Sequence, residues 1–207
     1  LEHVIFAGFT HAPAVQLAEK LISLAPSGFS KVFFSDNGST AVEVALKLAI
    51  QYWHNEGSPR KKIIAIKGAY HGDTFGSMAI GDRGLFTQAF SPYLFDVEFI
   101  DFPAQHAEQQ VIEEFKKYVQ AGDTAAFIFE PLIQGASGMR TYSPLLLDEL
   151  IQTAHAHDVV CIADEVFTGF GRTGKTLASD YLKNKPDLIT LSKGITGGFL
   201  PMGVTLI

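Results

Sequence analysis

The sequence predicts an α/β fold, a mainly parallel sheet with helices on both faces. Three observations carry that expectation. Short continuous apolar runs recur at residues 125–129, 159–163 and 188–191, as strands buried on both sides require. Between such runs lie segments with helical apolar spacing. Charged residues close several runs, at the edge where open α/β sheets bind their ligands.

The elements follow in order. Residues 12–25 read as a helix with Ala14, Leu17, Ala18, Leu21 and Ile22 on one face, stopped by Pro26, Ser27 and Gly28. Residues 31–34 form a short strand. Residues 39–54 form a helix with Val42, Ala45, Leu46, Ala49 and Trp53 in one stripe. Thr40 and Glu43 stand at capping-box spacing at its start. Residues 57–62 are a polar turn before a strand at 63–66, and another strand covers 97–100. An amphipathic helix spans 107–119, strand 125–129 follows, and a helix lies near 144–157. Strands at 159–163, 188–191 and 203–207 complete the set, with no repeat, low-complexity tract or linker.

Composition narrows the function classes. The 207 residues are 47% hydrophobic and 18% charged, ordinary for a globular domain with one substantial core. The net charge of −6 leaves no basic footprint for nucleic acid. No run of about 18 apolar residues occurs, so no transmembrane helix is expected. Cys161 is the single cysteine and sits in an apolar strand, which excludes an internal disulfide and suits a reducing, cytoplasmic compartment. The chain opens on Leu1 without a signal-peptide pattern and closes on Ile207 within a predicted strand. Residues 1–207 are therefore expected to be one domain of a longer protein.

Asp164 and Lys193 carry the chemical argument. Asp164 ends the run 159–163, and Lys193 follows the run 188–191 and Ser192. A carboxylate and an amine at neighbouring strand ends are what pyridoxal phosphate chemistry requires: the amine bonds to the cofactor, and the carboxylate keeps its ring nitrogen protonated. Gly38, Ser39 and Thr40 join a strand to a helix. Unpaired N–H groups and the helix dipole favour an anion there, and Gly38 lets a phosphate come close; alone, the same residues are an ordinary N-cap. Tyr70, His71 and Asp73 follow strand 63–66 in a loop with Gly68 and Gly72. An aromatic there either covers a ring cofactor or forms a plain turn. Glu130 leaves strand 125–129 either as a solvated cap or as part of the site, and the shared sheet edge favours the site.

Other motifs are weaker. Residues 169–176, Gly-Phe-Gly-Arg-Thr-Gly-Lys-Thr, satisfy the P-loop pattern. A P-loop follows its strand directly and opens a substantial helix. Here residues 164–168 intervene, and the segment 177–182 is short before Pro186. A phosphate-binding NTPase module is the alternative from another class. Arg172 in that loop can hold a substrate carboxylate, a loop carboxylate, or only the loop itself. His155 and His157 point in different directions near a helix end and lack a third ligand, so no metal site is expected.

Taken together, these residues resemble the class III, fold type I, pyridoxal phosphate-dependent aminotransferases. The signature runs from Cys161-Ile162-Ala163-Asp164-Glu165-Val166-Phe167-Thr168-Gly169-Phe170-Gly171-Arg172-Thr173-Gly174-Lys175 to Ser192-Lys193-Gly194. Supporting stretches are Thr10-His11-Ala12-Pro13-Ala14, Gly38-Ser39-Thr40-Ala41-Val42-Glu43-Val44-Ala45, Tyr70-His71-Gly72-Asp73-Thr74-Phe75-Gly76 and Gln134-Gly135-Ala136-Ser137-Gly138-Met139.

The resemblance implies roles. Lys193 holds the cofactor covalently, Asp164 pairs with its ring nitrogen, and Gly38 and Ser39 bind its phosphate. Tyr70 stacks on the ring and lines the substrate pocket, with Asp73 nearby; His71 and Glu130 lie by the cofactor, and Arg172 contacts substrate. Small-molecule donor and acceptor, a homodimer with shared active sites, and missing terminal segments are implied as well. Ornithine- and GABA-using members usually carry glutamine at the position of Phe167. Its absence favours the biotin-pathway branch, which implies S-adenosylmethionine as amino donor. Another amine donor is the alternative.

Overall fold

The computed structural model describes residues 7–104 and 106–207. The helices are α1 (Ala12–Leu24), α2 (Gly38–Asn55), α3 (Phe75–Ala79), α4 (Glu108–Gln120) and α5 (Pro144–Ala156). The strands are β1 (Val32–Ser35), β2 (Lys62–Ile66), β3 (Glu98–Ile100), β4 (Thr124–Phe129), β5 (Ile133–Gln134), β6 (Arg140–Thr141), β7 (Val160–Asp164), β8 (Leu188–Leu191) and β9 (Gly203–Leu206). Short stretches of 3-10 helix cover Gln88–Tyr93, Ala178–Tyr181 and Lys193–Thr196. No helix of the described residues is long and apolar enough to cross a membrane.

Seven strands make one sheet in the order β1-β9-β8-β7-β4-β2-β3. β9 runs antiparallel to both of its neighbours, β1 and β8, and the other pairings are parallel. The expected strands are therefore present, within a residue or so at their ends. The short hairpin β5–β6, the five-residue α3 and the 3-10 turns carry too little periodicity to be read from sequence.

Alternation along each strand separates two cores. Phe127 and Phe129 of β4 and Ile64 and Ile66 of β2 pack on one face, against Phe115 of α4 and Leu147, Leu150 and Ile151 of α5. Ala126 and Ile128 of β4 and Ile63 and Ala65 of β2 face Val42, Ala45, Leu46 and Ala49 of α2. All six residues of β4 are buried. That explains its unbroken apolar run and its central place in the sheet.

The start of α2 differs from the sequence expectation. Asn37 is the N-cap: its Oδ1 accepts the Thr40 N–H at 3.0 Å, and Thr40 Oγ1 accepts the Asn37 N–H at 3.0 Å. The box is thus Asn37 with Thr40, not Thr40 with Glu43. Glu43 reaches across to α3, where Oε1 accepts the N–H groups of Gly76 at 2.7 Å and Ser77 at 3.3 Å. A carboxylate at a helix N-terminus satisfies donors that the helix itself leaves unpaired.

Candidate active site

The exits of β1, β2, β4, β7 and β8 meet at one edge of the sheet. They bound a cavity of about 650 Å³ whose walls include Gly38, Ser39, Tyr70, His71, Asp73, Glu130, Asp164 and Lys193. Parallel strands bring these residues together, since every parallel strand delivers its C-terminal end to the same side.

Asp164 is the last residue of β7 and is buried. Its Oδ1 accepts the Val166 N–H and the Thr190 hydroxyl, each at 3.1 Å. Its Oδ2 lies 2.7 Å from His71 Nδ1. Thr190 stands opposite Asp164 in the parallel register of β7 and β8. Sequence reasoning missed Thr190; its signal is a lone hydroxyl inside an apolar strand, which needs a partner when buried.

Glu130 is buried and ties two loops together. Oε1 accepts the Tyr70 N–H at 2.8 Å, and Oε2 accepts the Gly135 N–H at 2.9 Å. Burial raises its carboxyl pKa above the usual range, while those two donors act the other way. The Tyr70 hydroxyl donates to Asp73 Oδ2 at 2.8 Å. Partial burial, then the Asp73 contact, pushes the phenol up to about 12. The Asp73 N–H in turn donates to Ser39 Oγ at 3.2 Å, which ties the Tyr70 loop to the first turn of α2. Gly38 is needed there, since a Cβ would come within 2.9 Å of Val166.

Lys193 opens a 3-10 turn with φ of 41°, in the left-handed region. A non-glycine residue held there stores about 1–3 kcal/mol of backbone strain, a feature that clusters at functional sites. Its Nζ lies 5.7 Å from the centre of the Phe167 ring, which also lines the cavity.

Arg172 is placed differently. It is exposed, does not line the cavity, and sets its guanidinium carbon 4.9 Å from the Phe167 ring. The P-loop reading of residues 169–176 fails on geometry. Lys175 Nζ donates to Asp180 O at 3.0 Å and lies over Tyr181, and only the short turn Ala178–Tyr181 follows. The N–H groups of Ala178 and Ser179, at 2.9 and 2.7 Å, are taken by the buried carboxylate of Glu165, which also accepts the Thr168 hydroxyl at 2.7 Å. The carboxylate of Glu165 thus occupies the first N–H groups of the short turn that follows the loop.

His155 does gather neighbours that its sequence spacing hides. Its Nε2 lies 3.2 Å from Asp187 Oδ2, and Cys161 completes a cluster with ligand atoms within 4.8 Å of one another. The Asp187 oxygen already accepts the Cys161 N–H at 2.7 Å, and burial holds the thiol well above its usual pKa. The cluster is explained as a hydrogen-bonded brace between α5, β7 and the start of β8.

Comparison with known proteins bears on this arrangement. The sequence model described as Aminotransferase class-III matches residues 1–207. The chain belongs to the class-III aminotransferase family. Among relatives of known name, the adenosylmethionine-8-amino-7-oxononanoate aminotransferase of Synechococcus elongatus is 52% identical over the whole chain and 50% of its own length. That of Geobacter sulfurreducens is 41% identical over the whole chain and 49% of its own length. The crystal structure of the Methanocaldococcus jannaschii enzyme of the same name aligns with a TM-score of 0.92 and 38% identity, covering 99% of this chain and 48% of that one. The ω-transaminase of Pseudomonas jessenii, solved in complex with PMP, gives 0.92 and 30%, covering 99% and 48%. The class-III chain described here spans about half the length of these relatives.

Proposed function

We propose that this chain is the cofactor-binding core of a pyridoxal phosphate-dependent aminotransferase. The enzyme moves the amino group of S-adenosylmethionine to 8-amino-7-oxononanoate, giving 7,8-diaminononanoate for biotin biosynthesis. The observation that carries the reading is the meeting of Lys193, Asp164 and the N-terminus of α2 around one cavity. The 52% identity to the Synechococcus elongatus enzyme supports the substrate pair.

The donor set fits the cofactor: an amine, a buried carboxylate, and helix N–H groups for a phosphate. Bound there, pyridoxal phosphate supplies an electron sink for the reacting carbon. With the cofactor bound, the Lys193 amine would hold it and would serve as base for the proton on the donor's amine-bearing carbon. Asp164 keeps a proton on the ring nitrogen, and Thr190, Val166 and His71 fix its carboxylate. Gly38 and Ser39 receive the phosphate at the start of α2. Tyr70 covers the ring and borders the substrate, steadied by Asp73.

The functional unit is a homodimer. Leu85, Phe86, Tyr93 and Phe199 are 81%, 93%, 77% and 86% exposed, side chains that a partner subunit would cover. We infer a cytoplasmic location, which the lone buried thiol of Cys161 suits. A second reading, a class-III transaminase using another amine donor, is favoured by the likeness to the Pseudomonas jessenii enzyme.

The test is the visible spectrum of the full-length protein with pyridoxal phosphate, followed by S-adenosylmethionine or ornithine added separately. Loss of the bound-cofactor band with S-adenosylmethionine alone is expected. Loss with ornithine alone keeps the family chemistry and rejects the donor; no band at all overturns the role of Lys193.

A further inference from the structure

Residues 70–74 line the cavity, and the chain just beyond them rests on α2. One end of this segment is held from the sheet. Glu130 accepts the Tyr70 N–H at 2.8 Å, and His71 meets Asp164. The other end is held from α2. Glu43 Oε1 accepts the N–H groups of Gly76 and Ser77 at 2.7 and 3.3 Å, and the Ser77 hydroxyl donates to Ser39 O at 3.1 Å.

Asp73 lies between the two ends and reaches the site twice. Its Oδ2 accepts the Tyr70 hydroxyl at 2.8 Å, and its N–H donates to Ser39 Oγ at 3.2 Å. The Ser39 oxygen accepts that N–H and keeps its own hydrogen to donate. The segment also fits α2 closely. A Cβ at Gly76 would collide with the Glu43 carboxylate, and one at Gly72 with Ser39 Oγ. Two glycines therefore let the loop backbone lie directly on the helix. A loop residue keeps a productive geometry only where its neighbours lock it, and a carboxylate on backbone N–H groups is a charge-assisted lock. Glu43 itself does not line the cavity, so any effect it has on the site travels through the segment.

We propose that Glu43 is a positioning residue for the site: by holding Gly76 and Ser77 it fixes Asp73, and through Asp73 it sets the Tyr70 ring and the Ser39 hydroxyl toward the cofactor. The inference rests on the aminotransferase reading above and deepens it.

The test compares the full-length wild type with Glu43→Ala and Glu43→Gln. Hydrogen–deuterium exchange of the cofactor-free proteins reads the segment. Titration with pyridoxal phosphate and visible circular dichroism of the bound band read the site. In Glu43→Ala, exchange is expected to quicken across residues 70–77, cofactor affinity to fall about tenfold, and the dichroism to weaken as Tyr70 loses its place. Glu43→Gln keeps an oxygen acceptor and is expected to recover most of each change. Glu43→Asp, one methylene shorter and expected to move in the same direction as alanine, serves if the alanine variant does not fold. Faster exchange confined to α3, with affinity and dichroism as in wild type, makes Glu43 an anchor for that helix alone and overturns the proposal. So does a fall in affinity with exchange of residues 70–74 unchanged, because the effect then bypasses the segment. Wild-type protein that shows no bound-cofactor absorbance instead overturns the aminotransferase reading itself, while the exchange data, taken without cofactor, still decide whether Glu43 holds the segment.

Discussion

His71 Nδ1 lies 2.7 Å from Asp164 Oδ2, and both side chains are buried. An ionised carboxylate only accepts, so Nδ1 carries the hydrogen. His71 Nε2 is buried without a partner among the described residues. His71 thereby steadies the carboxylate on which the ring nitrogen of the proposed cofactor depends.

His71→Phe is expected to lower stability by about 1.5–3 kcal/mol, the range for a lost hydrogen bond to a charged group, and to weaken cofactor binding. His71→Asn keeps a donor and recovers part of both. Urea unfolding and cofactor titration measure the two effects, and a phenylalanine variant indistinguishable from wild type in both would remove His71 from this role.

Lys193 combines the proposed chemistry with an unfavourable backbone angle. Lys193→Gly is expected to abolish turnover while leaving the fold as stable as before, or more stable by about 1 kcal/mol, because glycine takes the left-handed conformation without strain. Turnover near wild type in the cofactor-loaded variant would sink the role of Lys193, and a large loss of stability would sink the strain argument.

Glu165 accepts three internal donors with no exposure to solvent. Glu165→Ala leaves the Ala178 and Ser179 N–H groups buried and unpaired, and a loss of about 3 kcal/mol is expected. Chemical denaturation checks the figure; a change under about 0.5 kcal/mol, the level of an indifferent surface site, would contradict it.

The His155–Asp187 contact makes stability depend on pH. The hydrogen bond to Asp187 raises the imidazole pKa in the folded state, against an opposing effect of burial. A group raised on folding stabilises fully below its unfolded pKa of about 6.5 and loses that contribution as pH rises through the folded value. Thermal midpoints should therefore fall less between about pH 5.5 and about pH 8.5 in His155→Ala than in wild type. Parallel curves for the two proteins would show the pair to be without effect.

The parts legible in the sequence are those whose physics is local. Buried parallel strands such as β4 and β8 show as apolar runs because both faces are covered, and their ends locate Asp164 and Lys193. Strand direction is not written in such a run, so the antiparallel sense of β9 came only with the structure. Thr40 and Glu43 share a local spacing, yet Glu43 bonds 33 residues away at Gly76; tertiary reach outweighed the local pattern. The sequence leaves Arg172 with substrate, a loop carboxylate or only its own loop to meet, because it does not show that the Phe167 ring stands 4.9 Å from the guanidinium carbon. His155 found Asp187 through the packing of α5 on the sheet, 32 positions along the chain.

β9 has a bearing on how the protein is made. It sits between β1 and β8, and β1 joins the sheet only through it, with Val32 opposite Leu206. A nascent chain leaves the ribosome from its N-terminus, so β1 must wait unpaired for nearly the whole length of this domain. Val32 and Phe33, which pair with Leu206 and Thr205, then face no strand while the middle of the sheet assembles. Such distant pairings slow folding and expose strand edges to aggregation. Closure of the sheet beside Lys193 thus waits until residues 203–206 have been made, and β1 remains an open strand edge until then.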